Sequence, residues 1–155
     1  HIDDGQPKDT VVNIEATGEF VYNMATWDQR EEVSHTAFIV DRGVDELDAA
    51  GLKALPSKFV KPPRVKGSPV QFECTHFQTM VLPGNKPSST HQLIVGRVIG
   101  VHIDDNVITQ DGLLDTLKMR PIARLGYKEY TSVDSTFEME KTTPEELIGK
   151  PEAAE

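Results

Sequence analysis

The chain has 155 residues, of which 37% are hydrophobic, and its formal net charge is −9 at pH 7. This length and apolar content are enough for one modest core, so a single domain is expected. The negative charge, with no long basic run, argues against nucleic acid and anionic membranes as partners, because both are bound by clustered lysine and arginine. No apolar stretch approaches the roughly 18 residues of a spanning helix, and no signal-peptide pattern opens the chain. A single cysteine, Cys74, cannot form an internal disulfide and favours a cytoplasmic location.

Residues 5–20, GQPKDTVVNIEATGEF, predict a short helix preceded by a turn. Asp9 and Thr10 are residue types that cap helices, and Gly18 is expected to end the helix. A helix N-terminus also exposes unpaired N–H groups, so Lys8 beside a hydroxyl would suit an anion such as a phosphate. By spacing alone, ordinary capping with an exposed lysine is the commoner arrangement, and both interpretations stay open.

Strands dominate the rest of the pattern. Gly96 and Gly100 lie four residues apart in an apolar run, a spacing that suits a sharply coiled sheet or a barrel corner. Long strands, few helices and conspicuous glycines favour a mainly β barrel with short helical excursions. The predicted strands cover residues 19–26, 70–82, 91–104 and 120–133.

Short helices are expected in two further places. Residues 43–52 predict one or two helical turns, with Asp45 as the cap and Gly51 as the stop. Near the end of the chain, Pro144 stands where a helix would begin. The charged residues 138–155 around that helix are expected to form a tail.

The histidines and the cysteine have structural explanations. None of the five histidines is spaced from a second ligand as metal sites require, so no metal site is expected. His76 shares an apolar strand face with Phe72 and Cys74, which indicates a hydrogen-bonded core histidine and a small, buried thiol.

Four segments occur in an order and spacing that resemble one known family. They are GQPKDTVVNIEATGEFVYNM, GVDELDAAGLKALPSKFVKPPRVKGSPVQFEC, IVGRVIGVHIDD and RPIARLGYKEY. Together they are similar to the flavin reductase-like, FMN-binding split-barrel family. The resemblance implies a six-stranded split β-barrel over residues 1–137, a homodimer, and non-covalent FMN at the subunit interface. It also implies further residues before the first helix, including the first barrel strands, which would supply part of the flavin site.

The resemblance also suggests cofactor-binding residues, carried over one by one. The KDT segment of the family lies near the FMN phosphate, which implies charge from Lys8, a helix cap from Asp9 and a hydroxyl donor from Thr10. His102 shares its strand face with the two glycines and could approach the flavin, and Trp27 would either pack at the dimer interface or cover the ring. The other positions that match family segments near the flavin are Asn23, Arg64, Ser68, Arg124, Gly126 and Tyr130.

Two functions from different classes follow from the resemblance. The first is an NAD(P)H-dependent flavin oxidoreductase that transfers a hydride to flavin N5, with NADH or NADPH as co-substrate. The second is an FMN-binding electron carrier that passes electrons to a protein partner. No catalytic side chain is assigned, because the flavin does the redox chemistry and the protein supplies binding and orientation. A β-barrel that has lost its cofactor is a third, weaker interpretation, and the electron acceptor, a redox protein or free flavin, stays open.

Overall fold

The computed structural model describes residues 7–38, 40–85 and 90–148. The described chain is mainly β with few helices. Its helices are α1 (Asp9–Thr17), α2 (Arg30–His35), α3 (Glu46–Ala49), α4 (Thr116–Met119) and α5 (Pro144–Ile148), with 3-10 turns at Trp27–Gln29 and Asp105–Val107. Its strands are β1 (Glu19–Asn23), β2 (Ala54–Leu55), β3 (Arg64–Val65), β4 (Val70–Pro83), β5 (Thr90–Ile103), β6 (Ile122–Gly126) and β7 (Glu129–Ser132).

The largest sheet is antiparallel and has the order β1-β4-β5. The two 14-residue strands β4 and β5 confirm the predictions for residues 70–82 and 91–104 within one residue at each end. Among the described residues, β2-β3 and β6-β7 form separate two-stranded sheets, and no sheet closes on itself. The described residues alone therefore do not form the predicted split barrel as a closed unit, since two long strands and the short β1 are too few to close one.

Two strand predictions need correction. The strand expected over residues 19–26 ends at Asn23, because the chain then turns toward Pro121, where Thr26 forms an isolated bridge. The single strand expected over 120–133 is a hairpin of β6 and β7, with Tyr127 in its turn at φ 47°. Gly126 stands directly before this turn, but the prediction took the whole segment as one strand.

The helix ends follow their expected residues with one exception. Gly18 ends α1 at φ 71° and donates its N–H to the Ile14 carbonyl at 2.8 Å, as predicted. Asp45 caps α3 by accepting N–H bonds, which is also as predicted. The prediction that Asp9 caps α1 is wrong: Lys8 is the N-cap residue and its side chain makes no capping bond.

Tight packing occurs where the sheet meets the segments that follow β5. Val70, Val107 and Met119 form a buried cluster, against which Met24 and Phe72 pack. Cys74 is buried, as predicted, and burial raises the pKa of its thiol.

The two glycines of β5 leave room for aromatic rings. A Cβ at Gly100 would lie 2.6 Å from the Phe59 ring, and one at Gly96 would overlap Phe20. Any larger residue would push these rings away. No helix among the described residues is long and apolar enough to cross a bilayer.

Candidate functional site

A cleft of about 770 Å³ opens beside the first turn of α1. This volume is within the range of roughly 300–1,000 Å³ that is typical of small-molecule sites. One end is formed by α1, one wall by the end of β1, and another by a face of α2. The lining includes Asp9, Thr10, Asn13, Asn23, Met24, Gln29, Glu32, Arg42, Asp45, Glu46, Pro63, Val65 and Ser68.

The N-terminus of α1 has hydrogen-bond donors to offer at this end of the cleft. The Lys8 carbonyl accepts the N–H groups of Val11 at 3.0 Å and Val12 at 3.2 Å. Within the described residues the N–H groups of Asp9 and Thr10, in the same first turn, have no backbone partner. The exposed Thr10 side chain lines the cleft, so this end carries the helix-dipole charge and one side-chain donor, and Lys8 directly precedes it in the chain.

Asp9 would repel an anion here, but a cation already neutralises its carboxylate. Nε of Arg42 lies 3.0 Å from Oδ1 of Asp9, and Nη2 of the same arginine donates to the Pro7 carbonyl at 3.1 Å. Arg42 therefore ties the loop after α2 to the start of α1. Sequence reasoning missed Arg42, because its position depends on a contact between distant segments.

Glu32 presents an acceptor in the same cleft. Its Oε2 atom is buried and has no hydrogen-bond partner among the described residues. A buried carboxylate oxygen without a donor is costly, so a ligand N–H or O–H would stabilise it. Sequence reasoning missed Glu32 too, since a glutamate on a short polar helix gives no signal of its burial.

Asn23 and Ser68 line the cleft, and their polar atoms build its wall. Oδ1 of Asn23 accepts the N–H of Val65 at 2.8 Å and so fixes β3 beside β1. Oγ of Ser68 lies 2.9 Å from the Met24 carbonyl and 3.0 Å from that of Val70. These two side chains hold the wall that a ligand would contact.

Arg64 does not line the cleft. Its guanidinium donates to the Pro56 carbonyl and to Oε1 of Gln71, the latter at 3.0 Å. Nε2 of Gln71 in turn donates to the Val65 carbonyl at 2.6 Å. Arg64 thus holds β3 in place through structural hydrogen bonds, which engage its guanidinium away from the cleft.

His102 is also held away from the cleft, in a network around a buried carboxylate. Its Nε2 lies 2.6 Å from Oε1 of Glu73, a residue with no exposed surface. The Glu73 carboxylate also accepts the backbone N–H groups of Lys58 at 2.8 Å, Phe59, and Val60 at 3.1 Å. Burial alone raises the pKa of Glu73, but these hydrogen bonds outweigh it and lower the pKa to about 2.

The remaining predicted residues lie on the β6-β7 hairpin. The Arg124 guanidinium is 5.8 Å from the centre of the Tyr130 ring and donates to the Tyr127 carbonyl at 2.7 Å. Tyr130 lines a second pocket, of about 270 Å³, together with Trp27. Gly126 pairs with Glu129 in the hairpin and lines neither the cleft nor that pocket.

Four of the predicted residues line the cleft, Lys8 directly precedes them in the chain without lining it, and the other five lie elsewhere. His76 bonds to Thr79 at 2.9 Å and is half-buried, in line with its predicted structural role. Within the described ranges, no three His, Cys, Asp or Glu side chains are close enough to hold a metal ion. The cleft group comprises Asp9, Thr10, Asn23 and Ser68; the residues elsewhere are Arg64, His102, Arg124, Gly126 and Tyr130.

The protein is mainly β and has one cleft of a volume typical of small-molecule sites among its described residues. More particularly, the chain belongs to the flavin reductase like domain family, whose model matches residues 4–123. A relative from Halalkalibacterium halodurans, known only as an uncharacterised protein, is 31% identical over 140 residues, which are 90% of this chain and 66% of the relative. The chain thus spans less than two thirds of that relative's length.

Solved structures share the fold. Nitrilotriacetate monooxygenase component B from Bacillus cereus aligns with a TM-score of 0.80 at 27% identity, over 87% of this chain and 66% of that one. A protein from Shewanella frigidimarina described as a flavin reductase with a split barrel domain gives 0.74 at 23% identity, over 86% and 65%. Flavoredoxin of Desulfovibrio vulgaris Miyazaki F gives 0.73 at 20% identity, over 90% and 71%.

Proposed function

We propose that this protein binds FMN non-covalently in the cleft and works as a flavin-dependent oxidoreductase with NADH or NADPH as the reductant. The observation that carries the proposal is the donor end of the cleft. Within the described residues the N–H groups of Asp9 and Thr10 have no backbone partner, the Thr10 side chain lines the cleft, and Asp9, the carboxylate at this end, pairs with Arg42. Membership in the flavin reductase like family supports a flavin as the ligand.

The residues of the cleft fit a cofactor that has an anionic tail and a ring with N–H groups. Thr10 and Lys8 would hold the phosphate, together with the first-turn N–H groups. Glu32 supplies the buried, unpartnered acceptor that a ring N–H or a ribityl hydroxyl would satisfy. Asn23 and Ser68 would contribute to FMN binding indirectly, because their hydrogen bonds hold the cleft wall that the cofactor would contact.

A bound FMN would accept a hydride or single electrons at its ring. The task of the chain is then to bind the phosphate, orient the ring and exclude water. This division of work explains why an oxidoreductase needs no nucleophile or acid–base pair in the cleft.

A homodimer with FMN at the interface remains part of the proposal. Large apolar side chains on β4 and β5 are exposed, among them Phe77 at 65%, Val81 at 62% and Val101 at 55%. Large exposed apolar side chains along one strand pair favour cover by another surface. A second copy would be the route by which Arg124, Gly126 and Tyr130, or His102 and Arg64, could approach a flavin.

An electron carrier is the second candidate function, and the shared fold with flavoredoxin supports it. The two candidates differ in one measurable property. An NAD(P)H-dependent enzyme with FMN bound oxidises NADH or NADPH faster than the same concentration of free FMN. A carrier shows no such excess, although it binds FMN equally well.

The FMN site is tested by titrating FMN into the protein and following flavin fluorescence. Lys8→Ala and Thr10→Val are each expected to weaken binding by about 1–2 kcal/mol, because each removes a partly exposed, charge-assisted contact. Lys141→Ala removes an exposed lysine of the tail and is the matched control. Unchanged FMN affinity in both variants would show that the FMN phosphate does not bind at this helix terminus.

A further inference from the structure

Residues 53–66, which we call the basic segment, carry the opposite charge from the protein as a whole. Between Asp48 and Glu73 the chain has four lysines, one arginine and no acidic residue, although its formal net charge is −9. Arg64 is engaged in structural hydrogen bonds. The lysines are exposed, and within the described residues none of them forms an ion pair or a side-chain hydrogen bond: Lys53, Lys58, Lys61 and Lys66. These four cations are therefore available to a partner.

The cations stand on a fixed backbone beside an exposed aromatic ring. The Glu73 carboxylate binds the N–H groups of Phe59 and of its two neighbours, and Oε2 of Glu19 accepts the N–H of Lys61 at 2.8 Å. The Phe59 side chain is 53% exposed, and Nζ of Lys58 lies 5.2 Å from the centre of its ring. A surface that is already fixed loses little entropy on binding, and aromatic side chains are enriched where proteins meet.

A complementary segment follows the β6-β7 hairpin. Residues 134–140, which we call the arm, contain three acidic residues and no cation. Within the described residues the arm forms no hydrogen bond and no ion pair, and its Phe137 and Met139 side chains are 84% and 82% exposed. In an extended segment these two side chains would share one face, with Glu138 and Glu140 on the other. The arm thus presents apolar surface and negative charge that its own chain leaves uncovered.

We propose that the arm of one copy of this chain docks on the basic segment of a second copy. Phe137 and Met139 would pack against Phe59, and the acidic residues of the arm would face the unpaired lysines. The apolar strands β4 and β5 match the arm less well, because Arg97 is the one lysine or arginine in their sequences. The proposal rests on the homodimer proposed above, to which it adds a reciprocal contact, and it does not require FMN.

Charge reversal in two separate chains tests this exchange. One chain carries Lys58→Glu with Lys61→Glu, and the other carries Glu138→Lys with Glu140→Lys. In each chain alone the arm meets a basic segment of like charge, so the dimer is expected to dissociate at least tenfold more readily in analytical ultracentrifugation without FMN. In an equimolar mixture every arm meets a segment of opposite charge. The mixture is therefore expected to form a heterodimer, whereas docking of each arm within its own chain would give none.

Two further variants exclude other causes. Lys118→Glu with Lys128→Glu makes the same change in net charge at exposed lysines outside the basic segment, and this matched control is expected to dimerise as the natural protein does. Phe137→Ser removes an exposed side chain that contributes no packing within its own chain. It is expected to weaken the dimer at least tenfold, and far-ultraviolet circular dichroism checks that every variant is folded.

The outcomes distinguish this contact from the rest of the proposed function. Charge-reversed chains that dimerise as well as the natural protein, or a mixture without a heterodimer, would overturn the exchange and leave the homodimer in place. A natural protein that stays monomeric would overturn both. Failure of FMN to bind in the cleft would leave the result of the mixing experiment intact.

Discussion

The two pockets beside α2 have opposite linings. The second pocket is lined by cations and no carboxylate. The cleft is lined by one arginine and four carboxylates, namely Asp9, Glu32, Asp45 and Glu46. Asp9 pairs with Arg42 and Asp45 caps α3, whereas Glu32 and Glu46 have no cation partner among the described residues. The comparison teaches that the cleft can accept an anion only at the α1 end, where its carboxylate is paired.

The pockets differ also in how their walls are held. The cleft wall around β3 depends on buried hydrogen bonds, including that from Asn23 to Val65. Just before it, Glu73 binds three consecutive N–H groups of residues 58–60. The second pocket depends on cation–π contacts and a two-stranded hairpin at the surface. Damage to the buried network should therefore affect the cleft first.

The largest effect is expected from Glu73→Gln. The change removes the charge that four donors bind, and its amide adds a donor that faces the same N–H groups. Charge-assisted bonds contribute roughly 1.5–3 kcal/mol each and breaking a buried pair costs about 3–5 kcal/mol, so the free energy of unfolding should fall by about 3 kcal/mol. Urea denaturation measures this loss, and FMN affinity should fall with it.

Glu129→Gln, on the exposed hairpin, is the control and should change the stability by less than about 0.5 kcal/mol. If Glu73→Gln lowers the stability but leaves FMN affinity unchanged, the buried network does not hold the wall of the cleft.

The sequence predicted those parts of the fold that depend on neighbouring residues. The long strands β4 and β5 follow from apolar runs, and the ends of α1 and α3 follow from Gly18 and Asp45. The hairpin turn was missed because Tyr127 takes a left-handed conformation that a glycine would normally signal. Alternation shows where a strand lies, but it does not show where a strand reverses without its usual turn residue.

For the site, the sequence predicted the local part and missed the part made by distant contacts. Lys8 and Thr10 could be identified because a helix terminus is a local feature. Arg42 and Glu32 could not, because their roles depend on a loop and a helix that fold back onto α1. Whether the predicted cofactor roles hold is left to the binding experiments.

A change of pH tests the buried network without altering any other residue. The pKa of Glu73 is about 2 in the folded protein, below its ordinary value of 4.5. Because the folded pKa is lowered, the stabilisation from the ionised carboxylate is complete above pH 4.5 and is lost as the pH falls toward 2. The stability difference between the natural protein and Glu73→Gln should be constant near neutrality and shrink over that window.

Urea denaturation at several pH values between 7 and 2.5 measures this difference. The free energy of unfolding of the variant is subtracted from that of the natural protein at each pH. The subtraction cancels the titration of the other carboxylates, as far as they act independently. A difference that stays constant down to pH 2.5, or that grows as the pH falls, would show that the Glu73 pKa is not lowered, and would contradict the hydrogen-bond account.

The smallest expected effects on FMN affinity come from the ion pair between Asp9 and Arg42 at the α1 end of the cleft. The side chains of Asp9 and Arg42 are 45% and 58% exposed, so their interaction is worth at most about 1 kcal/mol. Arg42→Gln leaves Asp9 unpaired beside the phosphate position and should weaken FMN binding a few-fold, by roughly 0.5–1 kcal/mol. Asp9→Asn frees the guanidinium and should tighten binding by a similar factor.

The double variant separates neutralisation from direct contact. If the two charges act by cancelling each other, Asp9→Asn combined with Arg42→Gln should bind FMN about as well as the natural protein. The difference in FMN affinity between each single variant and the natural protein should diminish as the salt concentration is raised. Exposed charges are screened over about 10 Å at 0.1 M salt. Weaker FMN binding in Asp9→Asn alone would mean that the carboxylate holds the helix terminus in shape, and unpaired charge would then not be the property that decides what this cleft binds.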